Sequence, residues 1–217
     1  MNSGDNYQIC SRCVSDTTIP DIRFDERGIC NFCHIHDSLD EQFPLNEQGR
    51  QKLDRIVEKI RRDGQAQKYD CIVGVSGGTD STFCLYMAKK LGLRPLAVHL
   101  DNGWNSEASV SNMKNAVRKL EVDLEWVTID FEEFSDIQRS FLRASVPDAE
   151  IPTDLAIHAV LHRTAADNGV KWIINGMNFR TEGIQPLKWS YMDGRYVRSV
   201  QEQYGHRPLA TYPNLTI

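Results

Sequence analysis

The residues best placed to do chemistry stand in one short stretch, Ser76-Gly77-Gly78-Thr79-Asp80-Ser81. It follows an apolar run, Cys71-Ile72-Val73-Gly74-Val75, that reads as a buried strand. It leads into a helical pattern with Phe83, Tyr86, Met87 and Leu91 on one face. Adjacent glycines let backbone amides approach a ligand with no Cβ in the way. The hydroxyls of Ser76 and Ser81 add donors, and the free amides and dipole of a first helical turn favour an anion. Asp80 is out of place beside an anion unless a divalent cation lies between them. Val75 to Ser81 therefore ask for a pyrophosphate with its Mg2+. The stretch lacks the Gly-Lys-Ser/Thr of a Walker A loop and the Gly-x-Gly-x-x-Gly of a dinucleotide site.

A second group is Cys10, Cys13, Cys30 and Cys33: two Cys-x2-Cys pairs separated by sixteen residues. That spacing suits a structural Zn2+ site, with four thiolates closing a tetrahedron and leaving no open position for catalysis. Redox or iron–sulfur use of the pairs is the competing reading. Ile19-Pro20, Asp25 and Gly28 supply turn chemistry for a small hairpin between them. His34 and His36 are close enough in sequence to substitute as ligands, but with four cysteines present they read as solvated. A segment this short cannot bury a core alone, so the metal must hold it.

The 217 residues carry a net charge of −5 and are 41% hydrophobic. That is enough chain for one sizeable domain and a small appendage. The acidic balance speaks against a nucleic-acid backbone as partner. No apolar stretch is long enough to span a bilayer, and the polar start, Met1 to Gln8, is not a signal peptide. No membrane partner and a cytoplasmic location are expected.

Elements that would position these groups follow in order. Asp40 to Gln48 reads as a linker, and Leu53, Ile56, Val57 and Ile60 as an amphipathic helix ending at Gly64. Pro95 to Leu100 is a second strand, running into Asp101-Asn102-Gly103-Trp104. His99 within it reads as a packed residue. Val110, Met113, Val117 and Leu120 mark a helix with Ser106 as its cap. Leu124 to Ile129 is a third strand, and Asp130 to Glu133 a capping box before Phe134, Ile137 and Phe141. Thr153 reads as the cap of a helix from Leu155 to Asn168, where His158 and His162 share a face without the pattern of a metal site. Val170 to Ile174 is a further strand, ending in Asn175-Gly176-Met177-Asn178 with Arg180 close behind. Pro186 to Ile217 shows no clear period.

Strands alternating with helices predict an α/β fold with a doubly wound, mostly parallel sheet. The expected division is a zinc knuckle at 1–45 and a nucleotide-binding domain at 46–217. Ligands gather at the carboxyl ends of strands in such sheets, so Asp101 and Gly176 should face the same crevice as Gly77 and Gly78.

Ser-Gly-Gly-x-Asp-Ser directly after a strand resembles the PP-loop of the ATP pyrophosphatases, which split ATP between the α and β phosphates. The resemblance implies ATP on Val75 through Ser81, Mg2+ on Asp80, and adenine read by backbone groups of Val98 and Leu100. It also places Gly176, Asn178 and Arg180 at the reaction centre, with Asp80 and Ser81.

Taken with Cys-Ser-Arg-Cys-Val-Ser-Asp-Thr-Thr-Ile-Pro, Gly-Ile-Cys-Asn-Phe-Cys, Asp-Asn-Gly-Trp-Asn and Asn-Gly-Met-Asn, the chain is similar to the N-acetyl sugar amidotransferases of lipopolysaccharide O-antigen and surface-polysaccharide biosynthesis. That resemblance implies conversion of an acetamido group on a nucleotide-linked diacetamido sugar to an acetamidino group through an adenylate. It implies ammonia from a glutaminase and a cyclase-like subunit related to those of histidine biosynthesis, since no glutaminase Cys–His pair is evident in this sequence. That family continues well past residue 217, so the chain is expected to lack a C-terminal part. The alternatives are a tRNA 2-thiolation enzyme of the PP-loop superfamily and a non-catalytic nucleotide-binding subunit.

Overall fold

The computed structural model describes residues 7–189 and 191–216; residues 1–6, 190 and 217, including most of the polar N-terminal start, lie outside the described residues. The chain forms two compact units. One comprises residues 1–53 and 177–190, the other 54–176 and 191–217. Residues 177–190 thus group with the cysteine-bearing N-terminal segment, a division the sequence pattern did not suggest.

In the first unit, short antiparallel bridges join Ile9 to Asp16 and Phe24 to Cys30. The Phe24–Cys30 bridge closes over the turn at Asp25–Gly28, a minimal form of the hairpin expected there. Asp25 accepts the amides of Arg27 and Ile29, and Gly28 takes φ +75°. Helix α1 (Asn31–Gln42) follows. It absorbs the first part of the predicted linker, and α2 (Glu47–Gly64) the last. Only residues 43–46 connect them, with Asn46 accepting the amides of Gln48 and Gly49.

The second unit is built on a parallel sheet in the order β3-β2-β1-β4: β1 Cys71–Gly74, β2 Pro95–Asp101, β3 Leu124–Thr128 and β4 Ile173–Ile174. The doubly wound α/β expectation holds. Alternate residues of β1 face opposite layers. Cys71 and Val73 pack with Leu85 and Ala88 of α3 (Thr79–Lys90) and Met113 of α4 (Glu107–Leu120). Ile72 packs with Val160, Leu161 and Ala165 of α6 (Ile151–Asp167). The sequence pattern misplaced the buried face of α3: Phe83 and Tyr86 are exposed, because Leu85 and Ala88 meet the sheet instead. The strand expected at Val170 to Ile174 pairs only at Ile173 and Ile174, since the Val170 amide is held by Ala165 in the turn closing α6.

Phe134, Ile137 and Phe141 of α5 (Phe131–Ala144) are fully buried, as their spacing predicts. Each contributes on the order of 1.5–3 kcal/mol from apolar burial. They pack with Ile151 and Leu155 and with Val197 and Val200 of α8 (Gly194–Tyr204), a helix that lies in the stretch without clear sequence period. Asp193 caps α8 by accepting the Arg195 amide at 2.7 Å. A short α7 (Phe179–Glu182) lies in the first unit. Helix α6 begins at Ile151, with Glu150 as its cap and Pro152 in the first turn, so Thr153 lies inside it. No helix among the described residues is long and apolar enough to cross a membrane.

Candidate functional site

β1 is the strand at which the sheet changes direction: β2 and β3 add on one side and β4 on the other. In open parallel sheets the crevice forms at such a switch point, beyond the strand carboxyl ends. The loop Val75–Gly78 leaves β1 there, and Asn175–Gly176 leaves β4 beside it. A Cβ on Gly176 would stand 3.2 Å from the Asp80 carbonyl carbon and the Ser81 nitrogen, so the turn after β4 lies against the first turn of α3.

The loop is organised by its own hydroxyls. Ser76 N–H donates to Ser81 Oγ at 3.1 Å, and the two hydroxyl oxygens lie 3.1 Å apart. Gly78 N–H donates to Ser76 Oγ at 3.3 Å, and Ser81 Oγ–H to the Gly78 carbonyl at 3.3 Å. Gly77 takes φ +79°, and a Cβ there would stand 2.1 Å from the Ser109 carbonyl oxygen of α4. Only glycine fits both the dihedral and the space. Gly78 is the N-cap of α3 and has no side chain to cap it. The first-turn amides therefore point outward without an internal acceptor side chain, the arrangement that receives an anion. Ser76, Gly78, Thr79 and Asp80 are exposed. The donor set fits a phosphate with a hard cation on the Asp80 carboxylate.

β2 supports the loop from one side. Val75 N–H donates to the Val98 carbonyl at 2.9 Å. Buried His99 fixes the same loop residue: its Nδ1–H donates to the Val75 carbonyl at 2.8 Å, while Nε2 accepts from Asn105 Nδ2 at 3.1 Å. Asn105 also donates to Asp101 Oδ1 at 2.8 Å, and the Trp126 indole N–H to Asp101 Oδ2 at 3.1 Å. The Asp101 carboxylate is thus engaged in holding the end of β2. The β1–β2 register stops at Gly74 opposite Val98, so Leu100 extends beyond β1. The sequence reading placed His99 correctly as a packed residue. It missed that the imidazole positions the loop; a lone histidine inside an apolar strand was the available signal.

Asn178 and Arg180 fall in the first unit. Asn178 Oδ1 accepts the Arg180 amide at 3.0 Å and starts α7. The Arg180 guanidinium contacts Asp40 at 2.6 Å and donates to the Phe43 carbonyl at 2.6 Å.

In the same unit the four sulfurs of Cys10, Cys13, Cys30 and Cys33 lie within 4.8 Å of one another. Cys10 and Cys33 are 3.9 Å apart and Cys13 and Cys30 are 3.7 Å apart. Sulfurs at about 2.3 Å from a tetrahedral cation are separated by roughly 3.8 Å, so the cluster has the size of a metal cage. The amides of Arg12 and Cys30 donate to Cys10 Sγ at 3.4 and 3.2 Å. Burial works against ionising Cys10, yet these amides and that of Cys13 bring its pKa down to about 6. Burial, then the neighbouring sulfurs, push Cys33 up. Four thiols this close ionise together only around a cation. His34 Nε2–H donates to Asp25 Oδ2 at 3.0 Å, and the His36 ring lies edge-on to Phe179; neither is in the cluster. His158 and His162 form no metal group among the described residues.

Fold and loop together define an α/β protein with a glycine-rich loop at the switch point of a parallel sheet. The family model of "Queuosine biosynthesis protein QueC" matches residues 70–164, the span from β1 into α6. An uncharacterized protein of Methanocaldococcus jannaschii is 28% identical over 188 residues, 82% of this chain and 63% of that one. The 7-cyano-7-deazaguanine synthase of Methanoculleus marisnigri is 36% identical over 80 residues, 37% of this chain and 34% of its own length. This chain thus spans less than two thirds of either relative. Among solved structures, a glutamine-dependent NAD+ synthetase from Acinetobacter baumannii aligns at 20% identity with a TM-score of 0.45, over 58% of this chain and 25% of that one. The match over 70–164 and the loop sequence support a place in the PP-loop ATP pyrophosphatase superfamily.

Proposed function

We propose that the chain is an AMP-forming, ATP-dependent amidotransferase that converts an acetamido group of a nucleotide-linked diacetamido sugar to an acetamidino group. The observation that carries the ATP half is the glycine-capped first turn of α3 at the switch point, braced by Ser76 and Ser81 beside exposed Asp80. The sugar half rests on the likeness of the cysteine motifs and strand-end motifs to the N-acetyl sugar amidotransferases.

The amide oxygen of the acceptor attacks the α phosphorus of ATP, and pyrophosphate leaves. Ammonia adds to the activated carbon, and AMP leaves carrying the former amide oxygen. Acetamide, ATP and ammonia thus become amidine, AMP and pyrophosphate, the amidine keeping the proton its basicity demands. An amide oxygen is a poor leaving group, and its adenylate a good one. The protein's share is positioning and charge stabilisation. Ser76, Gly77, Gly78, Thr79 and Ser81 hold the leaving pyrophosphate, and Asp80 its Mg2+. Leu100, beyond the end of β1, and Val98 border the adenine, and Gly176 allows the close approach of the reacting phosphate. Asn178 and Arg180 are assigned to the acceptor on the resemblance alone. The cysteine cage holds structural Zn2+. Ammonia comes from partner glutaminase and cyclase-like subunits, and the reaction is cytoplasmic, where nucleotide sugars are made.

Sulfur transfer to tRNA is less well supported. Outside the cage the cysteines are Cys71 and Cys84. Burial, then Asp70, pushes the Cys71 thiol up to about 12. Burial, then Asp80, raises Cys84, whose thiol faces the Asn175 carbonyl at 3.5 Å. Neither favours a nucleophilic thiolate.

The test offers the protein ATP, Mg2+ and ammonium with diacetamido nucleotide sugars. AMP, pyrophosphate and a sugar one mass unit lighter are expected. Turnover only with tRNA and a sulfur donor would overturn the sugar reading.

A further inference from the structure

A separate cavity of about 320 Å³ opens on the second unit, lined by Trp104, Phe131, Ser135, Arg139, Leu142 and Glu150 among others. We propose that it is a second ligand subsite, which takes a planar heteroaromatic ring with hydrogen-bonding groups on its edge. That this ring belongs to the acceptor rests on the reaction proposed above.

Two aromatic faces are kept in solvent there. Trp104 is 61% exposed and Phe131 43% exposed. They are not loose: the rings meet edge to face at 5.3 Å and 61°, and the Trp104 indole N–H donates to Gln138 Oε1 at 2.7 Å. An indole locked in this way offers a preformed stacking platform at small entropic cost. In the same lining, Ser135 is 6% exposed, and its hydroxyl has no hydrogen-bond partner. Buried hydroxyls are normally paired, so an orphan on a cavity wall points to a ligand that completes it. Arg139 and Glu150 add a donor and an acceptor of opposite charge, which suits a ring with both kinds of group at its edge. The position is also informative. Trp104 follows the end of β2 and Phe131 the end of β3, so both walls stand on the carboxyl edge of the sheet that carries the phosphate loop.

The test titrates the whole protein with UMP and GMP, and with ribose 5-phosphate as the ring-free control. Titrations are run with and without α,β-methylene-ATP and Mg2+, which occupy the phosphate loop. At least one nucleotide is expected to bind whether or not the analogue is present, and ribose 5-phosphate is not. Loss of one base-stacking aromatic implies at least about a tenfold weaker binding in Trp104→Ala. Ser135→Ala, which removes only the hydroxyl, is expected to weaken it about threefold or more. Both variants should bind the analogue as the parent does. No binding of either nucleotide, equal binding of ribose 5-phosphate, or unchanged affinity in a folded Ser135→Ala would overturn the subsite. Failure of the analogue itself to bind would strike the ATP reading and leave the subsite result standing.

Discussion

The Ser81 hydroxyl accepts the Ser76 amide at 3.1 Å and lies 3.1 Å from the Ser76 hydroxyl, so the loop and the helix it feeds are tied together before any ligand arrives. A preorganised donor set stabilises developing charge without reorganising. Ser81→Ala removes both the tie and a donor. Turnover in the AMP-forming assay is expected to fall about 100-fold, with the thermal midpoint little changed. A variant that kept parental turnover would remove Ser81 from the site.

Gly77→Ala tests the backbone beneath the cradle. The added Cβ meets the Ser109 carbonyl oxygen at 2.1 Å and is strained at φ +79°. Strain of about 1–3 kcal/mol and displacement of α4 should follow. The expected result is a lower midpoint in chemical denaturation together with lost nucleotide binding. Gly78→Ala, whose Cβ meets only Ser76 Oγ at 3.3 Å, should be far milder in stability.

Metal removal should affect one unit selectively. The cage of Cys10, Cys13, Cys30 and Cys33 lies in the unit of residues 1–53 and 177–190. Native mass spectrometry is expected to find one Zn2+ per chain. Stripping it with a chelator, or Cys30→Ser, should abolish amide-exchange protection across α1 while β1 and β2 stay protected. Protection of α1 that survives full removal of metal would contradict a structural cage.

The C-terminal segment is held by carboxylates of α5. Glu133 accepts the amides of Ala210, Thr211 and Tyr212 at 2.6, 2.9 and 3.2 Å, and the Thr211 hydroxyl. Burial alone would raise its pKa, but the Thr211 hydroxyl and these amides more than offset that and hold it below the usual value. A depressed carboxyl adds stability that is complete above its unfolded pKa, about 4.3, and is lost as pH falls through the folded value. Glu133→Gln is expected to lose about 2 kcal/mol at neutral pH, roughly 4–8 °C in midpoint. Its stability should also fall less steeply than the parent's below pH ~4.3. Parallel acid profiles would contradict this role.

Much of this site was legible because its signals are local. Val73, Gly77, Gly78 and Ser81 are consecutive enough for strand, turn and helix to be read directly, and the two Cys-x2-Cys pairs fix each other by spacing. The sequence pattern failed where tertiary contacts decide. Phe83 and Tyr86 have the right period for a core face, yet the sheet meets Leu85 and Ala88. Glu133 read as half of a capping box. Asp130 does accept the Glu133 amide at 2.7 Å, but the Glu133 carboxylate turns to residues 210–212, nearly eighty positions away. Helix α8 is hard to see in the sequence because Val197 and Val200 sit among polar and charged residues and find their partners in elements far away in the chain, α5 and α6 among them. The division at residue 177 is likewise set by contacts far apart in the chain, such as Lys188 with Asp21 at 2.9 Å.

The central claim is that residues 76–81 grip the phosphates of ATP with a cation on Asp80. Its most direct measurement is a crystal structure of the protein soaked with α,β-methylene-ATP and Mg2+, paired with nucleotide titration of Asp80→Asn. Phosphate density on the amides of the Gly77-Gly78 turn, a Mg2+ at Asp80, and at least about a tenfold loss of affinity in the variant are predicted. An empty turn, or an Asp80→Asn protein that binds the nucleotide and Mg2+ as tightly as its parent, would contradict it.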